Sequence, residues 1–193
     1  MGVSFRYKKE QRMLNELAIL GELMEGPKTG YQLRQAMENT LGHYRKVSFG
    51  VLYPLLTKFE EQHYITLKID DSPKRKKIAT ISEKGKSKFR QLMLIKVPEN
   101  AYTDDIYRIK LDVMQHMSIN QQLVVIKEYR NFQNKVLMDI DMKLNYLKSK
   151  NTKDHFYAQQ VVKLRQKEGY VVLGWLDEMV HLITEEGQHG KTS

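Results

Sequence analysis

The feature that most constrains the fold is a long apolar stripe in the C-terminal half. It spans 119–147 and consists of Ile119, Leu123, Ile126, Arg130, Gln133, Leu137, Ile140, Leu144 and Leu147. Their spacing alternates between four and three residues, which is the heptad pattern of a coiled-coil helix whose apolar face another helix must cover. Ser118-Ile119-Asn120-Gln121 in front of it has the form of a capping box, so the helix is predicted to run from there to about Lys150.

A second C-terminal helix is predicted to cover part of this face as an antiparallel hairpin, after a polar break at 149–154. Its apolar stripe consists of Tyr157, Val161, Leu164, Val171, Trp175, Met179 and Leu182. Further apolar residues lie off the stripe, namely Val172, Leu173, Leu176, Val180 and Ile183. Because this surface is wider than one contact requires, we expect a second copy of the chain to cover the remainder in a homodimer.

Two polar residues, Arg130 and Gln133, interrupt the heptad stripe. They form either a polar layer that fixes the register, with the arginine paired to an acid, or an anion site for a small carboxylate effector. Trp175 is a third candidate for such a site, although its place on the apolar face also fits a core residue. Gly169 and Gly174 indicate close helix contact or room for a ligand.

Three short helices are predicted in the N-terminal half. The first spans Met13–Glu25 and ends at Gly26-Pro27. The second begins with a capping box at Thr29-Gly30-Tyr31-Gln32 and ends at Gly42, for which a left-handed cap conformation is expected. The third runs to Glu61 with Ser48 as its N-cap. This order is typical of a helix-turn-helix domain.

The third helix has one face for a core and one unusual outward face. The core face is predicted to contain Val51, Leu52, Leu55, Leu56 and Phe59, and the outward face Gly50, Tyr53, Pro54 and Thr57. Arg45 and Lys46 add positive charge beside its N-terminus, which suits a DNA phosphate. A proline in a helix interior costs about 3 kcal/mol, so either the regular helix begins near Val51 or it bends at Pro54.

A β-hairpin is predicted directly after this helix. Ile65, Leu67 and Ile69 alternate with polar residues, a turn follows at 71–73, and 78–81 can return as the partner strand. The basic tetrad Lys74-Arg75-Lys76-Lys77 lies near the tip, where like charges repel unless a polyanion neutralises them. A hairpin in this position is the wing of a winged helix-turn-helix. Ser82 is the predicted cap of a further helix.

Composition limits the function classes. The net charge is +9, and residues 1–95 hold 18 basic against 10 acidic side chains, so the excess belongs to the half that carries the hairpin. There are no cysteines, which excludes disulfides and thiolate metal sites. No apolar leader and no run long enough to span a membrane is seen, so a cytoplasmic protein is expected.

The N-terminal half resembles the winged-helix domain of the PadR family of bacterial regulators over about Leu14 to Leu94. The motifs that carry the resemblance are Leu17 to Leu23, Gly26-Pro27, Gly30-Tyr31-Gln32-Leu33, Ser48-Phe49-Gly50-Val51-Leu52-Tyr53-Pro54-Leu55-Leu56, Phe59-Glu60 and Ser82-Glu83-Lys84-Gly85-Lys86. The family also carries a Tyr-Pro in its recognition helix. One departure is His63, where the family usually has a glycine. The resemblance implies a homodimeric DNA-binding repressor or activator whose long C-terminal half dimerises.

The chain is therefore expected to be mainly α with a small β-hairpin. The expected domains are a winged helix-turn-helix at 1–96, a linker at 97–105, a helical dimerisation domain at 106–186 and a flexible tail at 187–193. The predicted function is a transcriptional repressor on double-stranded DNA with a palindromic operator, half-sites one or two turns apart, and release by a small effector. The predicted DNA contacts are Thr29, Tyr31, Lys46, Ser48, Gly50, Tyr53, Lys74, Arg75, Lys76 and Lys77, with a flexible arm at Arg6, Lys8 and Lys9.

The sequence is also compatible in principle with two other functions, an enzyme and a protein-interaction module. The six histidines form no metal-binding or catalytic pair, and no Gly-rich loop or nucleophile motif occurs, so no enzyme, metal or cofactor is expected. A coiled-coil interaction module without specific DNA binding is the stronger rival. Salt dependence separates it from a DNA-binding protein, because counterion release weakens DNA binding as salt rises.

Overall fold

The computed structural model describes residues 2–42, 46–70, 75–150 and 155–189, with side chains described between residues 11 and 185 of these ranges. The chain forms two compact units, Met1–Met117 and Ser118–Ser193. The predicted fold class, mainly helical with a small antiparallel sheet, is confirmed.

Unit 1 contains five α-helices, three strands and one short 3-10 helix in its described residues. In chain order these are α1 Gly2–Met24, β1 Lys28–Thr29, α2 Gly30–Leu41, α3 Phe49–Glu61, β2 Ile65–Ile69, β3 Lys77–Ile81, α4 Glu83–Leu94, α5 Thr103–Asp112 and the 3-10 helix Met114–His116. The predicted flexible arm is wrong, because residues 6–9 lie inside α1. No glycine or proline interrupts residues 3–20, so the helix continues through them.

The predicted hairpin is confirmed, and a third short strand joins it. β2 and β3 are antiparallel with Ile65 opposite Ile81 and Ile69 opposite Lys77. β1 pairs with the other edge of β3, where Thr29 lies opposite Ile78, giving the order β1-β3-β2. We call residues 65–81 the wing. Because β1 runs directly into α2, the sheet ties the base of the wing to the start of α2.

The turn from α3 to β2 is a Schellman motif with a histidine at its left-handed position. His63 has a φ of 60°. The Tyr64 N–H donates to the Phe59 carbonyl at 2.8 Å, and the His63 N–H donates to the Glu60 carbonyl at 2.9 Å. These are the two hydrogen bonds of the motif, in which the left-handed residue is usually glycine. The turn thus keeps the usual geometry without the usual residue.

Caps and close contacts fix the other ends. The capping box of Thr29 with Gln32 is confirmed. Gly42 has a positive φ of 95°, but its ψ of 161° lies outside the left-handed helical region that was predicted for it. Ser82 caps α4 by accepting the Gly85 N–H at 3.0 Å, as predicted. Gly85 is needed here, because a Cβ at this position would lie 2.1 Å from the Tyr64 carbonyl oxygen. The sheet and α4 therefore approach more closely than any side chain would allow.

The boundary between the units differs from the sequence-based prediction. The predicted linker at 97–105 lies inside unit 1, and α5 packs on α1 and α2 instead of belonging to the C-terminal helices. The Thr40 hydroxyl donates to Asp112 Oδ2 at 2.6 Å, and the fully buried Lys110 donates to the Ile95 carbonyl at 2.7 Å. These contacts make α5 part of the core around α1.

Unit 2 is a hairpin of α6 Ile119–Ser149 and α7 Phe156–His189. The capping box of Ser118 with Gln121 is confirmed, and the stripe of α6 is buried at Ile126, Gln133, Leu137, Leu144 and Leu147. Gly169 meets α6 closely, since an added Cβ would lie 2.8 Å from Leu137 Cδ2. Gly174 has nothing within 4 Å of an added Cβ.

The face of α7 that packs on α6 is not the predicted one. Val162, Leu176 and Ile183 are buried in the hairpin, whereas most of the predicted stripe is exposed. The exposed members, which we call the α7 stripe, are Tyr157, Val161, Leu164, Val171, Trp175 and Leu182. The sequence allowed either face, because apolar residues occupy both. The buried face is the one that carries Gly169, which permits the close contact with Leu137.

Candidate nucleic-acid interface

The N-terminal part of α3 presents an exposed surface. Ser48 is the N-cap of α3, but its side chain makes no capping hydrogen bond, contrary to the prediction. Ser48 and Gly50 are exposed, and Tyr53 is 47% exposed. Val51, predicted to be in the core, is 41% exposed, and Phe49 beside it is exposed as well. Sequence reasoning therefore missed two apolar side chains of this surface.

Pro54 lies inside α3. The helix begins before it, because the Val51 and Leu52 N–H groups both donate to the Ser48 carbonyl, at 3.0 and 3.1 Å. Proline has no N–H to donate to the carbonyl four residues earlier, that of Gly50. The lost bond falls on the exposed face of the helix, where water or a ligand can satisfy the carbonyl.

Core residues on the opposite side fix the position of α3 in unit 1. Leu52, Leu56 and Phe59 are buried, as predicted. Lys58 Nζ lies 3.1 Å from Glu16 Oε1 of α1, an ion pair whose carboxylate is largely buried. Because α3 is held by both apolar contacts and this pair, its exposed residues have a defined orientation.

Glu38 of α2 holds the segment that leads into α3. Its Oε1 accepts the Val47 N–H at 3.0 Å and the Arg34 Nε–H at 3.2 Å, and Lys46 Nζ lies 3.9 Å from Oε2. The Val47 hydrogen bond, followed by the Arg34 and Lys46 charges, lowers the pKa of the Glu38 carboxyl below its ordinary value. Lys46 is well exposed beside the N-terminus of α3, where a phosphate can reach it.

An aromatic stack runs along the exposed face between α2 and α3. The rings of Phe49 and Tyr53 have centroids 5.5 Å apart and an interplanar angle of 27°. The Arg34 guanidinium lies 4.8 Å from the Phe49 centroid, within the range of a cation–π contact. The Tyr53 ring also contacts Gly30 at the start of α2. A Cβ added to Gly30 would lie 3.2 Å from the hydroxyl oxygen of Tyr53.

Two of the predicted DNA contacts, Thr29 and Tyr31, lie at the start of α2. Tyr31 is 64% exposed, and its ring is open to solvent. The Thr29 hydroxyl is within 2.9 Å of Gln32 Oε1 and accepts the Gln32 N–H, so it is engaged in the capping box. The helix N-terminus adds a partial positive charge at this point.

The wing supplies cations. Arg75, Lys76 and Lys77 are exposed, and Lys74 of the basic tetrad lies outside the described residues. Asp70 closes the base of the loop, because its Oδ1 accepts the Lys76 N–H at 2.7 Å and its own N–H donates to the Lys76 carbonyl at 2.9 Å. Arg75 has a φ of 44°. Lys77 is thus in β3, Lys76 is fixed through its backbone contacts with Asp70, and Arg75 directly precedes them.

An open cleft brings the three elements together. Its volume is about 680 Å³, and its lining residues are Thr29, Gly30, Tyr31, Gln32, Tyr53, Asp70, Arg75, Lys76 and Lys77. Six of the ten predicted DNA contacts line it. Lys46, Ser48 and Gly50 are exposed at the N-terminal end of α3 outside the cleft. Hydroxyl groups, backbone and cations around one groove are the groups with which proteins bind nucleic-acid phosphates.

The predicted effector residues lie in unit 2. Arg130 forms an ion pair with Asp177 of α7, and both side chains are partly exposed. Gln133 is buried between the helices, and Trp175 is 41% exposed on the α7 stripe. Arg130 and Gln133 therefore belong to the hairpin contact, whereas Trp175 lies on its outer surface.

Other kinds of site find little support in the described part of the chain. No group of three or more His, Asp or Glu side chains there is placed to hold a metal ion. Among the same residues, none of the helices combines the length and apolar character needed to cross a bilayer.

Comparisons with known proteins give one family match and several similar chains. Residues 19–91 match the sequence model of the Transcriptional regulator PadR-like family. The Negative transcriptional regulator PadR of Bacillus subtilis (strain 168) is 21% identical over 178 residues, 88% of this chain and 97% of that protein. The structure of Bacillus subtilis PadR in complex with operator DNA is 19% identical, covers 86% of this chain and 96% of that one, and has a TM-score of 0.41. The structure of Bacillus subtilis PadR in complex with p-coumaric acid is 18% identical, covers 89% of this chain and 96% of that one, and has a TM-score of 0.39.

Proposed function

Because residues 19–91 place this chain in the PadR-like family of transcriptional regulators, as its motifs predicted, we propose that it binds a specific DNA operator as a homodimeric repressor. The observation that carries the proposal is the cleft of unit 1, in which the start of α2, Tyr53 of α3 and the wing cations line one groove. The Bacillus subtilis relative is a negative transcriptional regulator, and we propose the same direction of control here.

The roles of the residues follow from their positions. Ser48, Gly50 and Tyr53 are exposed on α3 and approach base edges in the major groove, where a helix fits. Lys46 and Tyr31 contact phosphates beside them. Thr29 contributes mainly through its place at the start of α2, since its hydroxyl is used within the capping box. The wing cations Lys74, Arg75, Lys76 and Lys77 contact the backbone or minor groove next to the α3 site.

The homodimer is proposed to form through unit 2. The α7 stripe is an exposed row of apolar side chains at heptad spacing, and such a face is stable only when another helix covers it. A two-fold dimer places two copies of α3 against two half-sites, which predicts a palindromic operator with half-sites one or two helical turns apart. In this proposal unit 1 binds DNA and unit 2 joins the protomers.

A small carboxylate effector is proposed to release the DNA. The Arg130–Asp177 pair is partly exposed, so a ligand carboxylate can exchange with Asp177 and form two parallel hydrogen bonds with the guanidinium. Gln133, one helical turn after Arg130, belongs to the proposed site, whereas Trp175 lies on the outer surface of α7, about 200° around the helix from Asp177, and is left out of it. A structure of Bacillus subtilis PadR with p-coumaric acid exists, which makes phenolic carboxylates the first ligands to screen.

The test is selection of bound sequences from a pool of random DNA duplexes, followed by fluorescence anisotropy on the selected duplex at several salt concentrations. We expect an inverted repeat to be enriched, and log Kd to rise linearly with log salt concentration as counterions are released. A coiled-coil interaction module would enrich no sequence. Equal affinity for the selected duplex and a scrambled one of the same length would contradict the proposal.

A further inference from the structure

The contact between Gly30 and Tyr53 joins the start of α2 to the exposed face of α3. Gly30 is buried and is the first residue of α2. A Cβ on it would lie 3.2 Å from both Cε1 and the hydroxyl oxygen of Tyr53, and 3.3 Å from Cζ. These separations are shorter than ordinary van der Waals contact, so the Tyr53 ring could not keep its place against a larger residue.

Backbone conformation does not require a glycine at this position. Gly30 is not among the glycines with a positive φ, unlike Gly26 and Gly42, and it lies in the first turn of a regular helix. Alanine is the better helix former by roughly 1 kcal/mol in a helix interior, and it also reduces the entropy of the unfolded chain. Helix stability alone would therefore favour alanine, and the space taken by the Tyr53 ring is what opposes it.

The aromatic stack is a second contact of the Tyr53 ring. Phe49 stacks on it at 5.5 Å, and Arg34 covers Phe49 at 4.8 Å. Contacts with both Gly30 and Phe49 restrict the ring, whose remaining exposed part faces solvent. A ring fixed in this way presents its hydroxyl group at a defined point above the cleft.

We propose that Gly30 is a positioning residue for DNA recognition: its missing side chain seats the Tyr53 ring so that the Tyr53 hydroxyl meets the duplex. The inference rests on the proposed function, since it assigns a partner to the same cleft. Gly30 itself touches no DNA in this proposal and acts only through the tyrosine. An added methyl group moves the ring outward by a few tenths of an ångström and removes its hydroxyl from the point of contact.

The test combines Gly30→Ala and Tyr53→Ala, singly and together, with affinities measured by fluorescence anisotropy on the duplex selected by the wild-type protein. We expect Gly30→Ala to bind about tenfold more weakly, the loss of roughly one hydrogen bond, while its thermal midpoint stays the same or rises. The salt dependence should not change, because no charge is removed. In the Tyr53→Ala background the added methyl group has space, so Gly30→Ala should have no further effect.

A control and a measurement without DNA complete the design. Gly174→Ala is the matched control, since a Cβ there meets nothing within 4 Å and the residue lies in α7. In DNA-free protein, nuclear Overhauser effects should join the Gly30 Hα and Tyr53 Hε protons, and the tyrosine ring resonances should shift in Gly30→Ala. If Gly30→Ala alone lost its folded circular dichroism signal, the double variant should regain it, and failure to regain it would overturn the inference.

The two failures are distinguishable. The role of Gly30 would be overturned if Gly30→Ala bound DNA with wild-type affinity. It would also be overturned if Gly30→Ala weakened binding by the same factor in the Tyr53→Ala background as in the wild-type background. Either result would leave the proposed function intact. A wild-type protein that binds no duplex, with the Gly30–Tyr53 contact seen by NMR, would overturn the proposed function and with it this inference.

Discussion

The carboxylate of Glu38 accepts the backbone N–H of Val47 at 3.0 Å, so α2 holds the residue that precedes the cap of α3. The same carboxylate binds Arg34, whose guanidinium covers Phe49 in the first turn of α3. One side chain of α2 thus orders the segment through which the chain enters α3. This segment also carries Lys46, which lies near the carboxylate and beside the proposed DNA contacts.

The first prediction concerns the charge of Glu38. The folded-state pKa is lowered, so the carboxylate stabilises the fold above its unfolded pKa near 4.5, and this contribution is lost as the pH falls through the folded pKa. Glu38→Gln keeps an oxygen for the Val47 N–H but loses the charge. We expect it to be less stable than wild type in urea unfolding at pH 7, with the difference shrinking steadily below pH 4.5.

Glu61→Gln is the matched control, because Glu61 is exposed at the end of α3, away from Val47. It should follow the wild-type curve. A deficit of Glu38→Gln that is equally large in acid would show that the carboxylate charge does not stabilise this segment.

The second prediction concerns the wing. Replacing Arg75, Lys76 and Lys77 together by alanine removes three exposed cations, and each phosphate contact contributes about 0.9 to the slope of log affinity against log salt. Because the proposed homodimer carries two wings, six cations are lost from each complex, and we expect the slope to flatten by about 5, with weaker binding to all duplexes alike. The measurement is anisotropy across a salt series. The control variant replaces three lysines of α6 by alanine, namely Lys127, Lys143 and Lys148, and so removes the same charge from unit 2. If the slope flattened equally in the control, the wing would not be part of the DNA interface.

Local sequence signals predicted several helix starts in both units and the strands of the wing. The capping boxes at Thr29 and Ser118, the Ser82 cap and the alternation in Ile65, Leu67 and Ile69 each depend on residues close in sequence, and all are confirmed. β1 could not be predicted, because a strand of two residues shows no periodicity and exists only through its pairing with β3. The placement of α5 could not be predicted either, because it depends on contacts between residues far apart in sequence, such as the hydrogen bond from Thr40 to Asp112.

The packing of α7 shows what periodicity cannot decide. Both Val171 and Leu176 lie on apolar stripes of α7, so the pattern alone cannot say which one faces α6. The choice depends on shape, since Gly169 lies on the side of Leu176 and lets Leu137 approach. The exposure of the proposed DNA contacts was easier to predict, because charged side chains such as Lys46 and Arg75 are rarely buried. Val51 was missed since an apolar residue on a helix is usually assigned to the core.

The third prediction follows from the Schellman turn. His63 adopts a left-handed conformation, which costs an L-residue roughly 1–2 kcal/mol and a glycine almost nothing. Part of this gain is offset by the greater entropy of glycine in the unfolded chain. We expect His63→Gly to raise the free energy of unfolding by about 0.5–1 kcal/mol in urea titration. His63→Ala removes the imidazole but keeps the Cβ, so an equal gain in that variant would mean that the backbone conformation is not the cause.

The fourth prediction concerns the α7 stripe. Val171 is 71% exposed in the hairpin, so Val171→Glu should leave the helical circular dichroism signal intact. In the proposed homodimer the same carboxylate would be buried without a partner, which is strongly unfavourable. We expect light scattering with size exclusion to show a shift from dimer to monomer, with weaker operator binding. Tyr170→Glu is the control, because the adjacent residue points about 100° away around the helix. A dimer that survives Val171→Glu would place the interface elsewhere.

The last prediction separates a ligand role of Arg130 from a structural one. Asp177 binds the Arg130 guanidinium that the proposed effector carboxylate must reach. Replacing Arg130 or Asp177 by alanine should therefore change the response to the effector in opposite directions. Arg130→Ala should abolish DNA release by a phenolic carboxylate without changing operator affinity. Asp177→Ala frees the arginine and should lower the ligand concentration needed for release, as measured by anisotropy titration of the protein–DNA complex. If the pair only supports the hairpin, both variants will lose stability alike and neither will change the ligand response.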